Sequence, residues 1–210
     1  MINVMIVEDQ KMIRILLESY INKKDGYQVV ASIPGADIAP DMCASMPIDL
    51  VLMDVRTEHR ENGLTATEKI KKQYPGIKVV IATSLVDLEV LRKARACGAD
   101  SLWYKDTDEE TMVDVIRRTM QGEHIFPDAP PPVNVGTAKS TEFTKTELRI
   151  LRYIVKGMSY AKIAEALGVE VTTVKYHVTN MLQKTNFKNK LQLALAVTDV
   201  KLIAELADDE

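Results

Sequence analysis

The chain of 210 residues has few cysteines and histidines and no long apolar run, and each shortage excludes a class of protein. Cys43 and Cys97 have neither the spacing of a metal site nor that of a redox pair. The three histidines are scattered, so the sequence does not predict a zinc centre. No apolar run approaches the ~20 residues that span a bilayer, and no basic segment precedes the apolar N-terminus as in a signal peptide. We therefore expect a cytoplasmic protein without a membrane segment.

Charge is unevenly distributed along the chain. Residues 1–122 carry 16 basic and 19 acidic side chains, a net charge of −3. Residues 142–200 carry nine and five, a net charge of +4, and residues 201–210 are acidic again. A basic part joined to an acidic part favours a polyanion as the partner of the basic part. Chance scatter of a few charges would give similar numbers, so charge alone is a weak indication.

Apolar and amphipathic segments alternate through residues 1–122. The apolar segments INVMIV, YQVVAS, IDLVLM, IKVVIA and DSLWY are short and mostly β-branched, which is typical of buried parallel strands. The segments between them have helical spacing, as in the apolar set Ile13, Leu16, Leu17 and Tyr20. Pro40 must lie in or before the first turn of the second helix. The sequence therefore predicts an α/β fold, a doubly wound five-stranded parallel sheet.

The pattern changes after Gly122. The stretch EHIFPDAPPPVNVGTAKST, residues 123–141, is rich in Pro, Gly, Ser and Thr and predicts an interdomain linker. The chain from Phe143 onward has no strand pattern and predicts an all-α domain. Its four helices are expected at Lys145–Lys156, Tyr160–Leu167, Val171–Lys184 and Lys190–Leu206. The predicted domains are thus residues 1–122 and 142–210.

Polar side chains follow four of the five predicted strands. They are Glu8 and Asp9 after the first strand, Asp54 after the third, Thr83 and Ser84 after the fourth, and Lys105 after the fifth. A lone Asp54 would be explained by the turn that ends its strand. However, ligands of doubly wound sheets bind beyond the carboxyl ends of the strands. Three acids, a hydroxyl and a lysine at that edge therefore indicate a functional site.

The chemistry of this set favours phosphoryl transfer. Three carboxylates form an oxygen-ligand site suited to Mg²⁺. A carboxylate can attack a phosphoryl group and form an aspartyl phosphate. The metal and Lys105 would offset charge on the phosphoryl oxygens, and a hydroxyl would donate to one of them. Asp54 is therefore the predicted nucleophile.

The second domain contains a helix-turn-helix pattern. MSYAKIAEALGVEVTTVKYHVTNML predicts a short helix, a turn at Gly168 and a longer helix. In the longer helix Val171, Val174, Val178 and Met181 form a buried stripe. The opposite stripe consists of Thr172, Lys175, Tyr176 and Thr179. This stripe is either a solvated polar face or, as the motif and the +4 charge favour, the surface that contacts double-stranded DNA in the major groove.

The last predicted helix is unusually aliphatic. Leu191, Leu195, Thr198 and Leu202 recur at near-helical spacing. Packing against the other helices explains such a stripe, and an excess of aliphatic residues in so small a domain also indicates a dimer contact. We expect both, with the exposed part of the stripe pairing in a homodimer.

The motifs VMIVEDQ, DLVLMDVR, VVIATS and GADSLWYKD resemble those of a response-regulator receiver domain, which has a flavodoxin-like fold. The segment from Phe143 to Leu195 resembles a LuxR-type helix-turn-helix domain. Together they resemble two-component response regulators of the NarL/FixJ type. This resemblance implies that Asp54 accepts phosphate from a sensor histidine kinase, with Glu8, Asp9 and the carbonyl of Arg56 around Mg²⁺. It also implies a switch role for the Thr83 hydroxyl and a phosphate contact for Lys105.

The chain departs from the family pattern at three places. The loop TEHRENG after Asp54 is one residue longer than usual and lacks a proline. Leu102 occupies a position that is usually aromatic, and Lys162 one that is usually acidic. The first two departures concern the phosphorylation switch, whereas the set of strand-end residues is complete.

The sequence thus predicts a phosphorylation-activated, DNA-binding transcriptional regulator that dimerises through its last helix or a receiver face and is not an enzyme. One alternative is a DNA-binding regulator whose receiver works without phosphate. An aspartyl-phosphate-forming phosphatase is the alternative from another class. Such a phosphatase needs a second aspartate where this chain has Arg56.

Overall fold

A computed structural model describes residues 1–57, 62–105 and 108–203 of the chain. They form two compact units. The first contains Met1–Ser84 and Glu89–Ala129, and the second contains Leu85–Leu88 and residues 130–203. Within these described ranges, no helix is long and apolar enough to cross a membrane.

The first unit is built on a parallel sheet with the strand order β2-β1-β3-β4-β5. The strands are β1 (Ile2–Val7), β2 (Tyr27–Ile33), β3 (Leu50–Met53), β4 (Lys78–Thr83) and β5 (Ser101–Tyr104). The helices are α1 (Lys11–Asn22), α2 (Ala39–Ser45), α3 (Gly63–Gln73), α4 (Leu88–Ala96) and α5 (Glu109–Met120). The predicted doubly wound α/β fold is confirmed, and Pro40 lies in the first turn of α2 as expected.

The register of the sheet brings the ends of neighbouring strands together. Val7 of β1 pairs with Met53 of β3, and Thr83 of β4 pairs with Tyr104 of β5. Every residue of β3 and β5 is buried, because parallel strands in such a fold are covered on both faces. Residues that leave these paired ends therefore emerge side by side at one edge.

The apolar face of α1 differs from the predicted one at Leu16. Leu17 and Ile21 are buried, whereas Leu16 is 43 % exposed. Successive residues on a helix are about 100° apart, so a buried stripe that runs through Leu17 and Ile21 leaves Leu16 at its margin. The buried residues of α1 are Leu17 and Ile21, which have i, i+4 spacing.

The first part of the predicted linker lies along β5. The Leu102 amide donates to the Ile125 carbonyl (2.8 Å), and the Ile125 amide donates to the Ser101 hydroxyl (3.0 Å). The Arg95 guanidinium of α4 lies 4.7 Å from the centre of the Phe126 ring. The segment that follows α5 thus covers the edge strand of the sheet, which otherwise exposes unpaired backbone groups.

The second unit is a four-helix domain preceded by a short hairpin. Its helices are α6 (Lys145–Val155), α7 (Tyr160–Leu167), α8 (Val171–Thr185) and α9 (Lys190–Asp199). The hairpin pairs β6 (Asn134–Val135) with β7 (Ala138–Lys139), and its Val135 and Ala138 are buried in the core of the unit. The sequence analysis assigned this hairpin to the linker. The limits 1–122, 123–141 and 142–210 remain predictions.

The last helix ends earlier than predicted. It stops at Asp199, and Lys201 adopts a left-handed backbone conformation (φ 55°). The amide of Leu202 then donates to the carbonyl of Val197 (3.0 Å), and Leu202 is buried. Leu202, which was predicted to continue the helix, is thus buried directly after the turn that follows it. The rest of the predicted helix, residues 204–206, lies outside the described residues.

Candidate functional site

Two buried carboxylates share one lysine at the carboxyl edge of the sheet. The Lys105 ammonium nitrogen lies 2.8 Å from Oδ2 of Asp54 and also pairs with Oε2 of Glu8. Glu8 is fully buried and Asp54 is 6 % exposed. The predicted association of these three side chains is therefore present in the structure.

Backbone hydrogen bonds between adjoining strand ends hold these residues in place. The Asp54 amide donates to the Val7 carbonyl (2.9 Å), so Asp54 continues the pairing of β3 with β1. The Lys105 amide donates to the Thr83 carbonyl (3.0 Å), which continues the pairing of β5 with β4. Asp54 and Lys105 are thus each the first residue beyond a paired strand end.

The start of α3 approaches Asp54 so closely that only glycine fits there. A β-carbon on Gly63 would lie 1.8 Å from the Asp54 carbonyl oxygen. The side chain of Asn62 caps the helix by accepting a hydrogen bond from the Leu64 amide (2.9 Å). The amino end of α3, where helix dipoles favour negative charge, therefore lies against the backbone of Asp54.

Burial makes the two carboxylates hard to ionise. Burial raises the pKa of Asp54, although the charge and hydrogen bond of Lys105 oppose this effect. Burial likewise raises the pKa of Glu8, and the negative charge of Asp54 adds to the increase. Burial by itself would lower the pKa of Lys105, but the two carboxylates outweigh it and its pKa is raised. One ammonium is therefore insufficient compensation for two buried acids.

A third carboxylate joins this cluster and completes a set suited to a hard cation. Carboxylate oxygens of Glu8, Asp9 and Asp54 lie within 4.8 Å of one another, and Asp9 is half-buried. Opposite ligands of an octahedral Mg²⁺ ion are about 4.2 Å apart, so small adjustments would bring these oxygens to its shell. With Lys105 the ionised set has a formal charge of −2, which a divalent cation would neutralise. The residues present thus fit a magnesium ion.

The remaining predicted residues lie around this cluster. Thr83 is fully buried at the end of β4. Arg56 pairs with Asn62 across the loop that follows Asp54, and its side chain is exposed. Residues 58–61 of the lengthened TEHRENG loop lie outside the described residues, as do residues 106 and 107.

The two aromatic residues of β5, Trp103 and Tyr104, point to opposite faces of the sheet. Side chains alternate between the two faces of a strand, so Tyr104 shares its face with Leu102. Trp103 points to the opposite face and belongs to the core that contains Val4 and Leu52. An aromatic ring is therefore present on the face of Leu102, displaced by two residues towards Lys105.

The structure adds one residue that the sequence analysis did not include. Nη1 of Arg14 donates to the carbonyl of Glu8 (2.5 Å) and, at longer range, to that of Asp9 (3.4 Å). Arg14 lies one turn into α1, directly after the acidic loop. Its place at the start of the helix that follows Glu8 and Asp9 is the only signal in the sequence that could have identified it.

The predicted stripes of α8 lie on opposite sides of the helix. Val174, Val178 and Met181 are buried, and Val171 is half-buried. The second stripe, Thr172, Lys175, Tyr176 and Thr179, is exposed.

Two further side chains of α8 have partners inside the unit. The Lys184 ammonium pairs with the buried Glu147 (2.8 Å), which makes Lys184 a structural residue. The rings of Tyr176 and His177 meet edge to face with centroids 5.6 Å apart. The basic group that α8 presents on its exposed stripe is therefore Lys175.

Comparison with known proteins assigns both units. Residues 4–117 match the response regulator receiver domain, and residues 141–197 match the family of bacterial regulatory proteins called luxR. The response regulator protein VraR of Staphylococcus epidermidis is 32 % identical over 207 residues, which cover 96 % of this chain and 99 % of VraR.

Solved structures show the same architecture. The RcsB response regulator in its DNA complex covers 95 % of this chain and 98 % of its own, with a TM-score of 0.63 and 14 % identity. A LuxR-family response regulator from Aurantimonas sp. SI85-9A1 covers 60 % of this chain and 89 % of its own, with a TM-score of 0.57 and 25 % identity.

The raised pKa values of Glu8 and Asp54 predict a pH-dependent response to Mg²⁺. A carboxyl whose pKa is raised by folding binds its proton more tightly in the folded chain. The metal-free protein therefore gains stability from these groups as the pH falls through the raised pKa values, whereas protons displace the metal. Mg²⁺ should raise the melting temperature at about pH 8, and this rise should shrink steadily towards about pH 5.

Melting curves with Mg²⁺ and with EDTA across this pH range measure the effect. Glu8→Gln removes one of the carboxylates that bind either a proton or Mg²⁺. Mg²⁺ should therefore raise the melting temperature of this variant less at every pH. A rise that is as large at the acidic end as at the alkaline end would contradict the assignment of Mg²⁺ to these carboxylates.

Proposed function

Because the chain belongs to the two-component response regulators that join a receiver domain to a LuxR-type DNA-binding domain, we propose that Asp54 is its phosphoacceptor. The protein is a DNA-binding transcriptional regulator. The donor we propose is a phosphohistidine of a sensor histidine kinase. The observation that carries this proposal is the buried Asp54 carboxylate paired with Lys105 at 2.8 Å and with Glu8 and Asp9 close by.

The proposed transfer uses Asp54 as an ionised nucleophile. A carboxylate oxygen attacks phosphorus, the phosphorus–nitrogen bond of the donor breaks, and its electron pair returns to the imidazole. Lys105 opposes the effect of burial on Asp54 and so favours its ionised form, and it then contacts the phosphoryl oxygens. Thr83, at the neighbouring strand end, donates its hydroxyl hydrogen to a phosphoryl oxygen and acts as the switch.

Glu8, Asp9, Asp54 and the Arg56 carbonyl would hold Mg²⁺. When bound, the ion offsets negative charge on the phosphoryl group. The charge of −2 on the ionised cluster supports this role. Arg56 also argues against the phosphatase alternative, because a phosphatase of that kind requires an aspartate at this position.

The phosphoacceptor assignment predicts a single labelled residue. Incubation with acetyl phosphate and Mg²⁺ should add one phosphoryl group, and Asp54→Asn should remove the labelling because an amide is a poor nucleophile. Asp49→Asn is the matched control: Asp49 lies at the opposite end of the same strand, where its carboxylate accepts a hydrogen bond from the Asn3 amide. Intact mass spectrometry measures the label.

Two results would contradict this assignment. Full labelling of Asp54→Asn would show that another residue is the nucleophile. A parent protein that remains unlabelled by small donors and by phosphorylated kinases would favour the alternative of a receiver that works without phosphate.

For the second unit we propose that the exposed stripe of α8 contacts the major groove of double-stranded DNA, and that the protein acts in the cytoplasm. Lys175 supplies a phosphate or guanine contact, and Tyr176, which is 64 % exposed, faces base edges or the sugar-phosphate wall. Thr172 and Thr179 add hydroxyl donors on the same side. The burial of Val174 on the other side supports this orientation of the helix.

The two stripes of α8 predict different losses on mutation. Lys175→Ala should reduce the slope of log affinity against log salt by about one unit if the contact is to phosphate. If Lys175 reads a guanine, the loss should instead be about 1–3 kcal/mol at one position of the site. Tyr176→Ala should change sequence preference more than salt dependence, since it removes no charge. Val174→Ala should lower stability by about 1–3 kcal/mol, because it opens a cavity in the core.

Binding titrations at two salt concentrations, together with thermal melts, separate these effects. Lys139→Ala, which removes one exposed charge from the hairpin of the same unit, serves as the control. If Val174→Ala left stability unchanged while Lys175→Ala unfolded the domain, the assignment of the two faces would be wrong.

We further propose that the protein forms a homodimer through α9, with a receiver face as the alternative site. Leu191 and Leu195 are 65 % and 63 % exposed and lie one turn apart on that helix.

Leu195→Lys should shift the equilibrium measured by analytical ultracentrifugation towards monomer, since it places a charge in the apolar contact. Gln192→Lys adds the same charge beside the stripe and should have a smaller effect. An unchanged dimer with Leu195→Lys would point to the receiver face.

A further inference from the structure

The loop that carries two of the three carboxylates is held by an arginine from the helix that follows it. Glu8 and Asp9 follow β1, and Gln10 precedes the first residue of α1. Gln10 makes no side-chain hydrogen bond that would cap the helix. The Glu8 side chain accepts a hydrogen bond from the Gln10 amide (3.1 Å), and the Glu8 amide donates to Ile33 (3.0 Å). Without another contact, the two backbone carbonyls of Glu8 and Asp9 would be the loosely held part of this turn.

Arg14 contacts both of these carbonyls. Its Nη1 donates to Glu8 at 2.5 Å and reaches Asp9 at 3.4 Å. Each carbonyl belongs to a rigid peptide plane, and the planes of Glu8 and Asp9 lie on either side of the Asp9 α-carbon. Holding both planes restricts φ and ψ of Asp9, and thereby the direction of its side chain.

From this geometry we infer that Arg14 is a positioning residue for the magnesium site, an inference that rests on the proposed function of the acidic cluster. Mg²⁺ requires nearly ideal octahedral geometry, so its affinity depends on how closely the carboxylates are held. Arg14 contacts backbone oxygens of the acidic loop and holds the carboxylates indirectly. Its guanidinium is well suited to hold two acceptors, and groups that orient metal ligands in this way affect the affinity for the metal.

The sign of the effect distinguishes positioning from charge. If Arg14 acted only as a nearby positive charge, its removal would relieve repulsion of the cation and Mg²⁺ would bind more tightly. If Arg14 positions the loop, its removal should weaken Mg²⁺ binding in spite of that relief. The two roles therefore predict opposite changes in one measured constant.

The test is Mg²⁺ binding by the full chain, measured by isothermal titration calorimetry in the absence of a phosphodonor. Arg14→Met should raise the dissociation constant about tenfold, the lower end of the range for outer-shell partners. Arg14→Lys, which keeps the charge on a less rigid side chain, should give an intermediate value. Lys11→Met is the control, because Lys11 is an exposed cation at the first position of the same helix. It should bind Mg²⁺ as tightly as the parent protein or more tightly.

Labelling by acetyl phosphate gives a second readout. Arg14→Met should be labelled slowly at limiting Mg²⁺ and at the parental rate at saturating Mg²⁺, because the nucleophile is unchanged. Equal or tighter Mg²⁺ binding by Arg14→Met would overturn the positioning role. If Arg14→Met fails to fold, Arg14→Lys decides: weaker Mg²⁺ binding supports the role, and parental binding overturns it. A parent protein that binds no Mg²⁺ would instead refute the proposed function of the cluster.

Discussion

The shared ion pair of Lys105 with Asp54 and Glu8 is the interaction on which the receiver site depends. Two carboxylates are removed from water and only one ammonium faces them, so the cluster carries unbalanced charge. Buried ion pairs are not a reliable source of stability, because desolvation offsets much of the attraction. Their value here is chemical. In the proposed function, the Asp54 carboxylate lies beside a lysine at a place where a cation and a phosphoryl group would bind.

The sheet supplies the precision that this arrangement needs. Asp54 and Lys105 each extend the hydrogen bonding of a paired strand by one residue. Gly63 lets the amino end of α3 approach the Asp54 backbone, which a β-carbon would prevent. Arg14 donates a hydrogen bond to the backbone of the acidic loop. The site is thus built from backbone positions that the core fixes, and functional sites on such elements are held more closely than those on free loops.

In the second unit, one helix has both a buried and an exposed face. The α8 helix must pack firmly enough to be held in one orientation, yet leave a face open for a partner. Val174 and Met181 anchor it on one side, and Lys184 is tied to the buried Glu147. Lys175 and Tyr176 remain exposed on the other side. Helical periodicity alone separates these two tasks within fifteen residues.

The sequence by itself determined the elements whose period is strong and the residues that must meet. Buried parallel strands are recognisable as continuous apolar runs, and their carboxyl ends meet at one edge of the sheet. The association of Glu8, Asp54 and Lys105 therefore followed from their positions directly after such runs. The buried and exposed stripes of α8 were equally predictable from the sequence.

The tertiary structure decided the features that a local sequence pattern leaves open. Leu16 and Leu17 both fit the apolar spacing of α1, and only the packing of the helix on the sheet shows that Leu17 is the buried one. Leu202 keeps the period of α9, yet the helix ends at Asp199 and Leu202 is buried after a left-handed residue, Lys201. The hairpin around Gly136 and the contacts of Arg14 both depend on hydrogen bonds of backbone groups in loops. The pattern of apolar and polar side chains does not show which partners those backbone groups have.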